Sequence, residues 1–252
     1  MIRVINVDKT FGDNHVLKNI SADFEAGKTN MIIGASGSGK TVLMKSIIGL
    51  HRIDNGRIEY SGRNLPDMKM SDIRILRREV GMLFQGSALF DSLSVLENVI
   101  YPLEMFSRTS KEEMKERAIT CLKRVDLPEH SYSLAPSEIS GGMQKRVAIA
   151  RAISLQPKYL FCDEPNSGLD PKTSLIIDQL ISEITQEFNI TTIINSHDMN
   201  SVMEIGEHII FVNKGVKAWE GSKDDIFHVD NEDLNDFVFA SDLYKKVRKA
   251  NQ

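Results

Sequence analysis

The chain has 252 residues, 41% of them hydrophobic and 26% charged, a balance that excludes disordered, collagen-like and coiled-coil classes and allows one large domain or two small ones. Thirty-one basic residues against 35 acidic ones give a formal charge of -4, so no general attraction to nucleic acid or anionic lipid is expected, and any bound anion must be held locally. Two cysteines, Cys121 and Cys162, supply neither a disulfide framework nor a four-ligand zinc site, which fits a reducing cytosol.

The start, Met1-Ile2-Arg3-Val4-Ile5-Asn6, lacks a basic segment followed by a long apolar stretch, so no secretory signal is expected. No apolar run approaches the ~20 residues that span a bilayer. Any membrane part of its function is then expected to come from other chains.

Residues 2 to 7 and 20 to 25 alternate or cluster apolar side chains as short strands do, and Thr29 to Ile33 is a compact buried-strand candidate running straight into glycines. A helix is predicted from Lys40 to about Gly49, a glycine suited to a C-cap. From about Ser87 to Leu155 the pattern is helical, including a helix from Ser110 to Val125 that opens on a capping-box-like Ser-Lys-Glu-Glu. Strand signals return at Tyr159 to Cys162, Thr191 to Asn195 and His208 to Val212. Between the first two lies a helix whose spacing puts Ile177, Leu180, Ile181, Ile184 and Phe188 on one face. Val216 to Glu220, after Asn213-Lys214-Gly215, reads as a hairpin return. Alternating strands and helices predict an α/β fold with a mainly parallel sheet, and the block 87–155 reads as a helical insertion. After Gly221, Ile226, Phe227, Leu234, Phe237, Val238 and Phe239 stand among many acids, followed by Lys245, Lys246, Arg248 and Lys249. This predicts one or two helices packed on the core with a frayed basic end; a sharper reading has the aromatic face clasping a neighbouring subunit.

Gly34-Ala35-Ser36-Gly37-Ser38-Gly39-Lys40-Thr41 fits the phosphate-loop pattern, with a strand before it and a helix after it. The glycines let backbone N–H groups and the helix N-terminus point at polyphosphate oxygens. Lys40 adds a point charge for the β- and γ-phosphates, and Thr41 offers a hydroxyl to magnesium. Adenylate-type kinases, GTPases and motor ATPases share such a cradle, so the reaction must be read elsewhere. Tyr159-Leu160-Phe161-Cys162-Asp163-Glu164 is an apolar strand ending in two carboxylates: Asp163 suits magnesium or its waters, and Glu164 a base that polarises the attacking water. Taken alone, a solvated acidic turn explains the pair nearly as well. Ser167-Gly168-Leu169-Asp170 adds a second loop. Ser196-His197-Asp198 ends the next strand, where His197 suits a donor to the γ-phosphate, although a lone histidine there is more often structural. Ile139-Ser140-Gly141-Gly142-Met143 begins a helix carrying Lys145, Arg146 and Arg151, a second anion-seeking helix start.

In this order the cradle, Gln85 after the strand Val80 to Phe84, the Ser140-Gly141-Gly142 turn, the Asp163-Glu164 strand, the Asp170 loop and His197 resemble the ATP-binding subunits of ABC transporters over residues 1 to 220. The resemblance implies a P-loop NTPase core with an N-terminal antiparallel β subdomain, an inserted α-helical subdomain and a C-terminal helical extension over 221–252. It further implies ATP and Mg2+ as ligands, hydrolysis coupled to transport, and two copies stacked head to tail with ATP between the cradle of one and the Ser140 signature of the other. Phe11 matches the aromatic that stacks on adenine, the alternative being a small hydrophobic plug under the N-terminal sheet. Gln85 matches the glutamine that senses water and magnesium, in a loop where the coupling helix of a membrane permease docks. The implied location is peripheral, on the cytoplasmic face of the inner membrane.

Met143, where a glutamine is usual, and the run Gln85 to Val99 are similar to the ATPases of lipid-asymmetry (Mla-type) transporters, which move phospholipid with a permease and MCE-type lipid-binding proteins. Met143 removes a side-chain amide, so any hydrogen bond normally made by that glutamine is in doubt. Amino-acid or metal importers and lipoprotein-releasing systems are the rival readings within transport. Soluble ABC-type repair or translation ATPases usually insert coiled coils, zinc modules or a second ATPase domain, which do not fit this length.

Overall fold

The computed structural model describes residues 1–239. In chain order it contains β1 (Ile2–Phe11), β2 (Asn14–Phe24), β3 (Thr29–Ile33), α1 (Lys40–Ile47), β4 (Asn55–Tyr60), β5 (Arg63–Asn64), α2 (Met70–Arg78), β6 (Val80–Leu83), α3 (Val95–Phe106), α4 (Lys111–Arg124), α5 (Gly141–Ile153), β7 (Tyr159–Asp163), α6 (Pro171–Glu187), β8 (Thr191–Ser196), α7 (Met199–Ile205), β9 (His208–Asn213), β10 (Val216–Gly221) and α8 (Glu232–Val238). They group into two compact units, one of residues 1–69 with 191–239 and one of residues 70–190.

In the first unit, β2, β1, β4 and β5 form an antiparallel sheet in that order. Ile2 faces Phe24 on one side of β1 and Tyr60 on the other, and all three side chains are fully buried. The strands β9, β3 and β8 are parallel, with β10 returning antiparallel on β9 through a turn whose Lys214 and Gly215 have φ of 48° and 84°. All five residues of β3 are buried, so the strand shows no exposed alternation, and its two polar members, Thr29 and Asn30, are hydrogen-bonded inside. The helix after the cradle stops at Ile47, capped by Ile48, and Gly49 follows with φ 77°. At the far end of this unit, Ile226, Leu234, Val238 and Phe239 are buried, and the Phe237 ring lies 5.5 Å from that of Phe211. This segment thus packs on the chain's own β9 through Phe237, in keeping with the simpler of the two readings of it. The basic positions Lys245, Lys246, Arg248 and Lys249 lie outside the described residues.

In the second unit, β6 pairs in parallel with β7, Val80 opposite Tyr159 and Leu83 opposite Cys162. Helices α3, α4 and α5 pack against one another, and α5 also packs on β6 and α6. Ser94 and Ser110 each close a full capping box, with Glu97 and Glu113 respectively. The buried stripe of α6 is Ile177, Leu180, Ile181 and Ile184. Phe188, expected on that face, is the C-cap, its N–H still donating to the Ile184 carbonyl, and it stands 44% exposed at the end of the stripe. The first two strands are also longer than their apolar signal: register shifts along β1 break the alternation beyond Val4 and turn polar residues outward.

Candidate nucleotide site

The cradle grows out of β3. Past Ile33 the chain needs a φ of 149° at Gly34, 78° at Gly37 and 112° at Gly39, which caps α1. The Ser38 N–H donates to the Ala35 carbonyl at 3.2 Å, and the Gly215 N–H donates to the Ser38 carbonyl at 3.0 Å, pinning the loop to the β9–β10 turn. Lys40, only 7% exposed, donates from Nζ to the carbonyls of Gly34 (2.8 Å) and Ala35 (3.1 Å). The ammonium therefore sits inside the loop formed by Gly34, Ala35, Ser36, Gly37, Ser38 and Gly39. The Ser38 hydroxyl is buried and accepts or donates no hydrogen bond among the described residues. The first turn of α1 contains no acidic residue of its own and its N-cap Gly39 supplies no side-chain cap, a helix start whose N–H groups and positive dipole end suit an anion, with Thr41 exposed beside them. In the same unit, His197 follows β8 and is exposed. Phe11 is 43% exposed at the end of β1, edge-on to His51 at 5.2 Å and with Lys9 Nζ 5.1 Å from its ring. An exposed ring is no plug under the sheet.

The second unit carries the remaining candidates. Strand β7 delivers Asp163 and then Glu164, which takes a left-handed φ of 50°, a costly conformation for a long side chain and one that clusters at functional sites. The Ser167 N–H donates to the Glu164 carbonyl at 3.1 Å, folding the following loop. Gln85, exposed after β6, donates from Nε2 to Ser167 Oγ at 3.2 Å. Ser140 is the N-cap of α5, its hydroxyl accepting from the Met143 N–H at 3.3 Å. Met143 lacks the expected amide, but Gln144 next to it donates to the Pro136 carbonyl at 2.9 Å and steadies the approach to the turn. A cavity of 470 Å³ opens here, lined among others by Ser140, Gly141, Gly142, Gly168 and Asp170. Asp170 was expected among the nucleotide ligands. Its carboxylate is taken up by the first turn of α6, accepting from the Thr173 hydroxyl and from the backbone of Lys172 and Thr173. The Thr173 hydroxyl first, then these backbone N–H groups, hold its pKa below the ordinary carboxylate value. Asp170 thus caps α6 and shapes the loop.

Residues 17 to 167 match the model of the ABC transporter family. The chain belongs to that family. This ABC ATPase is 36% identical to the methionine import ATP-binding protein MetN of Clostridium tetani over 96% of its own length and 76% of that protein's. It is 34% identical to the phosphonates import ATP-binding protein PhnC of Lactiplantibacillus plantarum, over 90% and 91% of the two chains. Among solved structures it resembles the dimeric ATP-binding cassette MJ0796 in a post-hydrolysis state bound to ADP and Pi, with a TM-score of 0.80, 33% identity and coverage of 88% and 99%. It is an ATPase with the α/β architecture and antiparallel N-terminal sheet of its family. No helix of the described residues is long and apolar enough to cross a membrane.

Several residues of this ABC ATPase were not singled out by pattern. Asn98 is fully buried in α3 and accepts from the Phe90 N–H at 2.8 Å while its amide donates to the carbonyls of Phe90, Leu93 and Ser94. It thereby holds the segment 90–94 against the helix. The three cations of α5, read in the sequence as part of an anion-seeking helix, all donate to backbone carbonyls: Lys145 to Gln85, Arg146 to Val125 and Asp126, Arg151 to Ser87 and Ala88. The signal was available: α5 buries Val147, Ala148, Ile149, Ala150, Ala152 and Ile153, and a cation among such neighbours requires acceptors.

Proposed function

We propose that two copies of this ATPase work head to tail on an integral membrane permease, at the cytoplasmic face of the inner membrane, and that closure of the pair on ATP is the mechanical step. In this reading residues 1–220 form the ATPase domain and 221–252 an extension. ATP is held by Phe11, the cradle Gly34 to Thr41, and the Ser140-Gly141-Gly142 turn of the opposite copy, with Glu164 polarising the attacking water and His197 donating to the γ-phosphate. The observation that carries it is the cradle itself, where a buried lysine, a buried hydroxyl without a partner and a helix start with no acidic residue in its first turn face one loop. As the proposed ligands of Mg2+, Thr41, Gln85 and Asp163 each carry an oxygen donor of the kind this hard cation prefers. When bound, that ion neutralises charge on the β- and γ-phosphate oxygens. Differential affinity of ATP and ADP for closed and open pairs is what can move the permease.

The experiment is complementation. Lys40→Ala damages a cradle and Ser140→Arg a signature turn, so each variant alone loses turnover. A mixture restores one undamaged pairing and regains it. A mixture as inactive as its components refutes the shared site.

For the cargo, the support for phospholipid is Met143 and the segment Gln85 to Val99, and an MCE-type protein is then a further partner. The import proteins named above favour small solutes as the second reading. Mass spectrometry of lipids retained by the complex with its permease separates the two.

A further inference from the structure

Helix α5 ties the signature turn to the Gln85 loop. Lys145, 4% exposed, donates its ammonium to the main-chain carbonyl of Gln85. One and a half turns on, Arg151 donates from Nη1 to the Ala88 carbonyl and from Nη2 to that of Ser87, both at 2.7 Å. These three carbonyls belong to one short loop between β6 and α3. In it Ser87 and Ala88 hold left-handed φ of 60° and 49°, and the Ser87 N–H closes a turn on the Phe84 carbonyl at 2.9 Å. The same loop sends the Gln85 side chain to Ser167.

The division of labour between the two cations is informative. Arg151 holds the strained part of the loop, together with the loop's own backbone turns at Ser87 and Ala88. Lys145 holds only the residue whose side chain matters, and does so at a cost, since burial disfavours its charged form. An apolar side chain of the same length would fill the space without that cost, so the hydrogen bond is what the lysine contributes.

We propose that Lys145 is a positioning residue for ATP turnover: by fastening the backbone of Gln85 to the helix that begins at the signature turn, it makes the aim of the Gln85 side chain follow any movement of α5. This rests on the role proposed for Gln85. The full-length chain tests it as Lys145→Met, Lys145→Gln, Gln85→Ala and the double variant Lys145→Met/Gln85→Ala, with kcat, KM for ATP and thermal midpoint measured on each. Lys145→Met, which cannot donate, is expected to lower kcat about tenfold, the scale of one charge-assisted hydrogen bond, with KM within about twofold. Lys145→Gln keeps a shorter donor and falls about threefold. Both losses are expected to vanish in the Gln85→Ala background, where the double variant stays within about twofold of Gln85→Ala. If Lys145→Met does not fold, Lys145→Gln with and without Gln85→Ala completes the same cycle. A Lys145→Met chain at full kcat beside a slowed Gln85→Ala chain overturns the latch alone, as does a loss that persists undiminished without Gln85. A Gln85→Ala chain that turns over normally overturns the role of Gln85 and the latch with it.

Discussion

Two alanine substitutions in the cradle separate backbone conformation from close packing. A Cβ at Gly34 would lie 2.2 Å from the Val212 carbonyl oxygen and 2.8 Å from Ser38 Oγ, whereas one at Gly37 would meet nothing within 4 Å. Both positions carry a φ that L residues rarely adopt, 149° and 78°. Gly37→Ala therefore bears only the conformational term, about 1–2 kcal/mol. Gly34→Ala adds an overlap with backbone that cannot rotate away. Val212 belongs to β9, which is bonded to β3 and to β10, so relief means shifting a central strand by roughly 1 Å, an overpacking cost of about 1–3 kcal/mol. At about 2–4 °C per kcal/mol for a chain of this size, Gly37→Ala is expected to lower the thermal midpoint by about 2–8 °C, and Gly34→Ala by several degrees more. Calorimetry of both proteins without nucleotide checks the order. Equal midpoints would refute the argument from β9.

Three further outcomes are expected. Glu164→Gln should retain ATP binding while turnover falls by about 10²-fold or more, measured by single-turnover kinetics; ordinary turnover would remove Glu164 from the chemistry. Glu220 is opposed by burial, but hydrogen bonds from Lys217 and His208 outweigh it and hold its carboxyl below the ordinary 4.5. A depressed folded-state pKa means stability that is present above 4.5 and lost as the pH falls through the folded value, so Glu220→Gln should flatten the acid limb of urea midpoints compared at pH 3 to 7. Cys121 and Cys162 are both buried with thiol pKa values raised by that burial, so native protein should resist alkylation at pH 8 and react only on unfolding; rapid native labelling would contradict the packing of α4 and β7.

The chemistry of the cradle was legible because its constraints are local. Glycines at the positions of positive φ, a lysine and a hydroxyl at the helix start are all fixed within eight residues, and the flanking strand and helix are signalled by the apolar Met31-Ile32-Ile33 and a following Gly49. Ser110 and Glu113 were equally legible, since a capping box is a four-residue event. Strand ends were not. In β1 only Ile2, Val4 and Val7 are buried, and beyond them the ladder to β2 continues through half-exposed polar residues whose pairing is backbone to backbone. β4 and β5 likewise bury just Ile58 and Tyr60, too few to mark a strand. For Lys145 the apolar neighbours in α5 signal that the ammonium needs an acceptor, but which acceptor it is, the Gln85 carbonyl, shows only in the tertiary structure.

The two anion-seeking helix starts, which look alike in sequence, differ in what they retain for a ligand. At the first, Lys40 lies within the loop and donates to the carbonyls of Gly34 and Ala35, and the Ser38 hydroxyl has no hydrogen-bond partner among the described residues. At the second, every cation of α5 is tied to carbonyls elsewhere, and the turn itself offers Ser140 and two glycine N–H groups. Dipoles without a free charge bind a polyphosphate weakly in water and gain strength only when solvent is excluded. A turn of this composition is poorly suited to capture ATP by itself and well suited to close over a phosphate already held by a charged loop. In the proposed pairing this fixes the order of events: the cradle loads first, and closure follows as the second copy's turn replaces water around the γ-phosphate. Raising ionic strength should then weaken ATP loading on the isolated chain more than it weakens closure of already loaded pairs, because the first step is carried by an ammonium and the second by desolvated dipoles. Light scattering of the Glu164→Gln chain against salt, alongside nucleotide titrations, reads the two steps separately, and a dimerisation step with the steeper salt dependence would reverse the assignment.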